Sequence, residues 1–181
     1  TINIDEIKKK EKLRLPIQWV NRLDSEFRGF SGTIVSGKIH KGDVISVLPN
    51  GNKAKISEII VSGKKVLSAS DKTAVTVTLD KEIDISRGDM LVKNDEPCEI
   101  SNQFQVNLVW MTETTGLIGR SHLIKIGHQS AGVQITNIKH KLNINSFEKL
   151  PASTLQLNDI CLAEISLDKS IIFDEYSNSR S

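Results

Sequence analysis

The sequence predicts an all-β chain folded as two consecutive antiparallel β-barrels, and three observations carry that expectation. Roughly eleven short segments alternate apolar and polar residues with the period of two that strands require. Glycine, asparagine and proline punctuate them at intervals of about 8 to 12 residues, the spacing of hairpins in barrels and sandwiches. No segment of about twelve or more residues sustains the i, i+3, i+4, i+7 spacing of an amphipathic helix. The 181 residues suit two barrels of about 85 residues each. Closing a sheet hides its apolar face and removes its unpaired edges.

Residues 5–14, DEIKKKEKLR, are a charge run. Glu6 and Lys10 stand in helical i, i+4 order, but too few apolar residues accompany them to pack a helix. Residues 1–12 are therefore assigned as a solvated linker. From Leu13 the period becomes two. Leu13, Leu15, Ile17 and Trp19 alternate with Arg14, Pro16 and Gln18, and Pro16 places this strand at an edge or a start. Gly29, Gly32 and Gly37 mark bends or close backbone approach. Lys41-Gly42-Asp43 turns the chain into a strand at 44–48. Pro49-Asn50-Gly51-Asn52 is a hairpin turn, because Asn and Gly tolerate positive φ. A strand returns over 53–61, and Ser62-Gly63-Lys64 turns again. Val75, Val77 and Leu79 alternate with threonines. Arg87-Gly88-Asp89 repeats the chemistry of the turn at 41–43 and leads into 90–93.

The polar stretch 93–97, ending in Pro97, is the expected boundary between a first domain at 13–96 and a second at 97–181. Beyond it, Phe104, Val106, Leu108 and Trp110 alternate with polar neighbours. Residues 113–119 form a loop with two glycines. Segments 122–126 and 133–138 read as strands, and Ala163, Ile165 and Leu167 mark a last one.

Composition narrows the function. The 24 basic and 22 acidic residues leave a formal charge of +2, too balanced to select nucleic acid or an anionic membrane. Aromatic residues are 4%, too few for a base-stacking platform. No apolar run reaches the roughly 18 residues of a membrane span, and the first ten residues lack the apolar core of a secretory signal. Cys98 and Cys161 fit neither a C-x-x-C motif nor a disulfide framework, and a cytoplasmic protein with two free thiols is expected.

No catalytic residue, metal ligand or cofactor-binding residue is assigned. Gly37-Lys38 and Gly63-Lys64 lack the flanking residues of a phosphate-binding loop. Asn52-Lys53-Ala54-Lys55 starts like a guanine-reading N-K-x-D but ends in a lysine, which cannot accept the guanine N–H donors. His40, His122, His128 and His140 show no metal-ligand spacing. No G-x-S-x-G frames a nucleophile. Glu82 and Asp84 would share one side of a strand, and they read as a solvated polar face between Ile83 and Ile85. Cys98 would be reactive only if exposed, and nothing nearby lowers its pKa.

The segment Arg28-Gly29-Phe30-Ser31-Gly32-Thr33-Ile34-Val35-Ser36-Gly37, followed by Lys41-Gly42-Asp43 and Leu48-Pro49-Asn50-Gly51, resembles the second-domain barrel of translation-type GTPases such as elongation factor Tu. Three further runs narrow the likeness. Ile17-Gln18-Trp19-Val20-Asn21-Arg22, Glu82-Ile83-Asp84-Ile85-Ser86-Arg87-Gly88-Asp89-Met90 and Val109-Trp110-Met111 resemble the GTPase subunit of bacterial sulfate adenylyltransferase. So do Leu155-Gln156-Leu157-Asn158-Asp159-Ile160 and Phe173-Asp174-Glu175-Tyr176, in that family's third domain. Cys161 stands where the family usually has glycine.

The resemblance implies two Greek-key barrels, of translation-factor domain 2 type and elongation factor Tu domain 3 type. It implies a GTP-binding domain before them and a closing strand after them, so the second barrel is expected to lack its last strand. That open edge would be left open, covered by the chain's own tail, or met by strand exchange or edge-to-edge self-association. GTP and Mg2+ would belong to the missing domain and ATP to a small catalytic subunit, the partner. This chain would scaffold the former and contact the latter, and would be inactive alone. Arg28 and Arg87, beside glycine turns, are the candidate partner contacts. The rival reading is a pair of tRNA-binding barrels, against which the charge and the aromatic content weigh.

Overall fold

The computed structural model describes residues 12–22, 27–96 and 98–174. The linker over 1–11, Pro97 and the Glu175-Tyr176 pair lie outside the described residues. All regular structure among the described residues is β-strand, and every pairing is antiparallel where a register is given. The chain divides into two compact units. The first is Thr1–Glu99 with Ile172–Ser181, and the second is Ile100–Ile171.

The first unit carries β1 (Leu15–Pro16), β2 (Trp19–Arg22), β3 (Arg28–Thr33), β4 (Lys38–His40), β5 (Val44–Leu48), β6 (Asn52–Val61), β7 (Lys64–Val66), β8 (Ser68–Ser70), β9 (Ala74–Leu79) and β10 (Met90–Lys93). Its main sheet runs β1-β10-β5-β6-β9-β3-β2, with β7 beside β6 and a separate β4–β8 pair. The sheet curls back on itself. Arg14 N donates to Ser36 O at 3.0 Å and Val35 N to Arg14 O at 2.8 Å, so the residues before β1 lie along the continuation of β3. Eleven side chains of this core are wholly inaccessible: Leu13, Leu15, Ile17, Ile34, Ile39, Ile45, Val47, Ile59, Val77 and Leu91 at 0%, with Ile56 at 1%. These are the inward positions of alternating strands, so the period read from the sequence is the burial period.

The second unit contains β12 (Gly116–Leu117), β13 (Ser121–Ile126), β14 (Gln129–Leu142), β15 (Lys149–Leu150) and β16 (Thr154–Leu155), and most of β11 (Glu99–Val109) and β17 (Ile160–Phe173). Its sheet runs β11-β17-β14-β13, with β15 beside β14 and a separate β12–β16 pair. The path ends at β11 and β13, with no hydrogen-bonded ladder joining these two among the described residues. Ala131, Ile135, Leu155, Cys161, Ala163, Ile165 and Leu167 form its core. Register shifts between Ile135 and Asn137 and between Ile138 and His140 bend the long β14–β17 ribbon, as bulges do.

Several expectations are corrected. Among the described residues there are seventeen strands rather than about eleven. The extra ones are pieces of two or three residues (β1, β4, β7, β8, β12, β15 and β16), too short to show a period. The single strand expected from Leu13 to Trp19 breaks after Pro16, and the alternation fails at both its ends. Arg14 is 4% exposed although it sits at an outward position, and Trp19 is 64% exposed although it sits at an inward one. Glu82 and Asp84 lie in an irregular segment, both exposed, rather than on a strand. Cys161 is 2% exposed inside β17, paired with Lys141.

Candidate partner interface

Arg28 opens β3 and faces Arg22 across the β2–β3 ladder. Its guanidinium lies over the Phe30 ring, 5.4 Å from the centroid. Its Nε is buried with no hydrogen-bond partner among the described residues. It lines a hollow of about 520 Å³ together with Arg22, Phe27, Glu58, Thr78 and Glu82.

Arg87 is elsewhere on the unit and does not line that hollow. It is an exposed residue of a turn fixed at both ends. Ser86 N donates to Asp89 Oδ2 at 2.8 Å, and Gly88 adopts φ 97°, a conformation that glycine reaches without penalty. The turn docks on the chain just after β1: Gly88 N donates to Ile17 O and Ile17 N to Asp89 O, both at 2.8 Å. Two residues further on stands the exposed Trp19, on the strand that ends the sheet path. The sequence reading missed this tryptophan because it treated the alternation as unbroken. The signal available was Pro16, after which a strand need not keep its phase.

Arg14 ties together segments far apart in the chain. Its Nε and one terminal nitrogen donate to both carboxylate oxygens of Asp174, at 2.7 and 2.8 Å. The other terminal nitrogen donates to Leu13 O at 2.9 Å and to Glu96 O at 3.0 Å. Leu13 N donates to Glu96 Oε2 at 2.6 Å. The hydrogen bonds from Arg14 hold the Asp174 carboxyl below the usual range. Burial works to lower the Arg14 pKa, but Asp174 outweighs it and the guanidinium is held more firmly protonated. Cys98, half-buried nearby, has its thiol pushed up to about 11 by burial, so it is protonated and a poor nucleophile at neutral pH.

The second unit has a hollow of about 480 Å³ between the end of β11 (Leu108, Val109) and β13 (His122, Leu123), floored by Val133 and Ile165. The His122 ring meets Trp110 edge-on, with centroids 5.5 Å apart, and its Nε2 is buried with no hydrogen-bond partner among the described residues. Trp110 is fixed by its own Nε1, which donates to Thr114 O at 2.8 Å. No group of three His, Cys, Asp or Glu side chains among the described residues is arranged to hold a metal ion. No helix of the described residues is long and apolar enough to cross a membrane.

Comparison with known proteins gives a consistent result. Residues 103–181 match the GTP-eEF1A C-terminal domain-like family. Sulfate adenylyltransferase subunit 1 of Aliivibrio fischeri (strain MJ11) is 43% identical over 177 residues, which is 98% of this chain and 37% of that protein. The bifunctional enzyme CysN/CysC of Xylella fastidiosa is 39% identical over 166 residues, 92% of this chain and 27% of that protein. The chain therefore spans well under half the length of the curated relatives it matches. Among solved structures, that of Sup35 complexed with GMPPNP superposes with a TM-score of 0.80 at 16% identity, covering 99% of this chain and 44% of that one, a likeness of fold. By sequence, across nearly its whole length, the chain is similar to the sulfate adenylyltransferase subunit 1 proteins.

Proposed function

We propose that this chain is the β-barrel portion of the GTPase subunit of a sulfate adenylyltransferase, acting as scaffold and partner-binding region in the cytoplasm. The whole protein then couples GTP hydrolysis to the formation of adenosine 5′-phosphosulfate and pyrophosphate from ATP and sulfate. GTP and Mg2+ bind a domain outside this chain, and ATP binds the small catalytic subunit. The observation that carries this reading is the 43% identity over 98% of the chain. Alone, the chain neither binds GTP nor forms product.

Trp19 and Arg87 are the proposed contacts with the catalytic subunit. An exposed tryptophan two residues beyond the segment on which the turn carrying exposed Arg87 is pinned has the composition of an interface anchor, and the pinned turn loses little entropy on docking. In the full-length protein, Trp19→Ala and Arg87→Ala should each weaken binding of the catalytic subunit about tenfold by calorimetry. Unchanged affinity in both variants rejects this placement. Tight, steeply salt-dependent tRNA binding by the chain would replace the whole reading with the RNA-binding one. The end of the sheet path at β11 and at β13 among the described residues also favours edge-to-edge self-association. Sedimentation should then show a concentration-dependent dimer that Leu123→Lys disperses. A monomer at every concentration removes that part.

A further inference from the structure

The first unit contains two positive charges that its fold does not explain. Arg22 and Arg28 are direct partners across the β2–β3 ladder. Like charges in that position repel and weaken a hairpin. Among the described residues no carboxylate pairs with either of them. Arg28 is half-buried and its Nε is removed from solvent without a partner, a state that costs free energy in the empty protein.

Both arginines line the hollow of about 520 Å³, a size typical of small-ligand pockets. The lining also carries the carboxylates of Glu58, Asp80 and Glu82 and the ammonium of Lys81. Glu58 is held by Lys65 Nζ at 2.6 Å, and Asp80 Oδ1 accepts from Lys55 N at 2.8 Å. Glu82 lies at the exposed rim, and the half-buried Thr78 adds a hydroxyl. The unused hydrogen-bonding capacity at the hairpin end is thus two guanidinium forks, the geometry that takes oxyanions bidentately.

We infer that this hollow binds a small phosphorylated molecule, with Arg22 and Arg28 clamping its phosphoryl oxygens and Glu82 accepting from a hydroxyl or amine of the same ligand. The site is independent of the role proposed above. A small molecule is favoured over an acidic protein surface because Arg28 is recessed, so a compact group must enter the hollow to reach it.

The test is calorimetric titration of this chain with inorganic pyrophosphate at physiological salt, with circular dichroism confirming that each variant is folded. The expected result is saturable one-to-one binding, weakened at least about tenfold in Arg22→Gln and in Arg28→Gln. Arg28→Lys should also weaken it, since the charge remains but the fork is lost. Lys38→Gln, an exposed change outside the hollow, should bind as the parent does. Arg22→Gln should further raise the urea midpoint of the unliganded chain, because it relieves repulsion and leaves the Arg28–Phe30 contact intact. Absence of saturable binding, equal loss in Lys38→Gln, or binding of single-stranded RNA but not pyrophosphate overturns the inference. A lowered urea midpoint in Arg22→Gln also overturns it, since the arginine would then serve the fold.

Discussion

Replacing Arg14 with methionine is expected to destabilise the first unit by about 3 to 5 kcal/mol, the usual cost of breaking a buried ion pair from one side. The variant leaves the Asp174 carboxylate without its guanidinium and Glu96 O without its side-chain donor. Urea unfolding followed by circular dichroism measures the loss. Hydrogen exchange at the Arg14 and Val35 amides locates it, since these amides close the sheet. Adding Asp174→Leu should recover a large part, because two apolar groups of similar volume need no hydration. A loss below about 1 kcal/mol in the single variant would show that the pair behaves as an ordinary surface ion pair.

The same pair sets a pH dependence. The folded pKa of Asp174 lies below its unfolded value, which is about 4. The unfolded chain therefore takes up the proton first as pH falls. The stabilisation is fully present at neutral pH and is lost from about pH 4 downward, through the depressed folded pKa. The difference in urea midpoint between the parent and Asp174→Asn should be constant from pH 7 to about 5 and should shrink below 4. A difference that stays constant down to pH 3 removes Asp174 as the titrating group.

Gly32→Ala is expected to be the most damaging single-methyl change, at more than about 4 kcal/mol or with no folded first unit at all. A Cβ at Gly32 would overlap the Pro16 carbonyl oxygen and press on Leu15 Cδ1 at 3.0 Å. The obstacle is backbone within the closing contact between β1 and β3, so no rotamer change relieves it. Gly51→Ala is the contrast. Nothing lies within 4 Å of a Cβ there, and the strain comes only from φ 76°, worth about 1 to 2 kcal/mol. Urea midpoints of the two variants should therefore differ widely. Near-equal midpoints would mean that β1 yields to the methyl group.

Much of the fold is legible in the sequence because strands and hairpins are written locally. The strand Val44–Leu48 matches its expected bounds, and the turn over 49–52 returns the chain with Val47 opposite Asn52. Both follow from β-branched alternation and from Asn-Gly chemistry, each confined to a few residues. The site is far less legible. Arg28 was singled out for standing beside a glycine turn, and the structure gives it a different significance through Arg22. That pairing depends on the register of β2 against β3, which five intervening positions do not fix by pattern alone.

The sequence by itself determined the class of fold, the hairpins and the likeness to known proteins, because periodicity, turn residues and identity with relatives are properties of the string. Only the tertiary structure decided that Arg14 is an interior residue, that Trp19 is a surface one, and that Arg22 and Arg28 face each other with no carboxylate partner among the described residues. Burial and pairing are relations between segments up to 160 positions apart. They come into being only when the sheet closes, and no local pattern carries them.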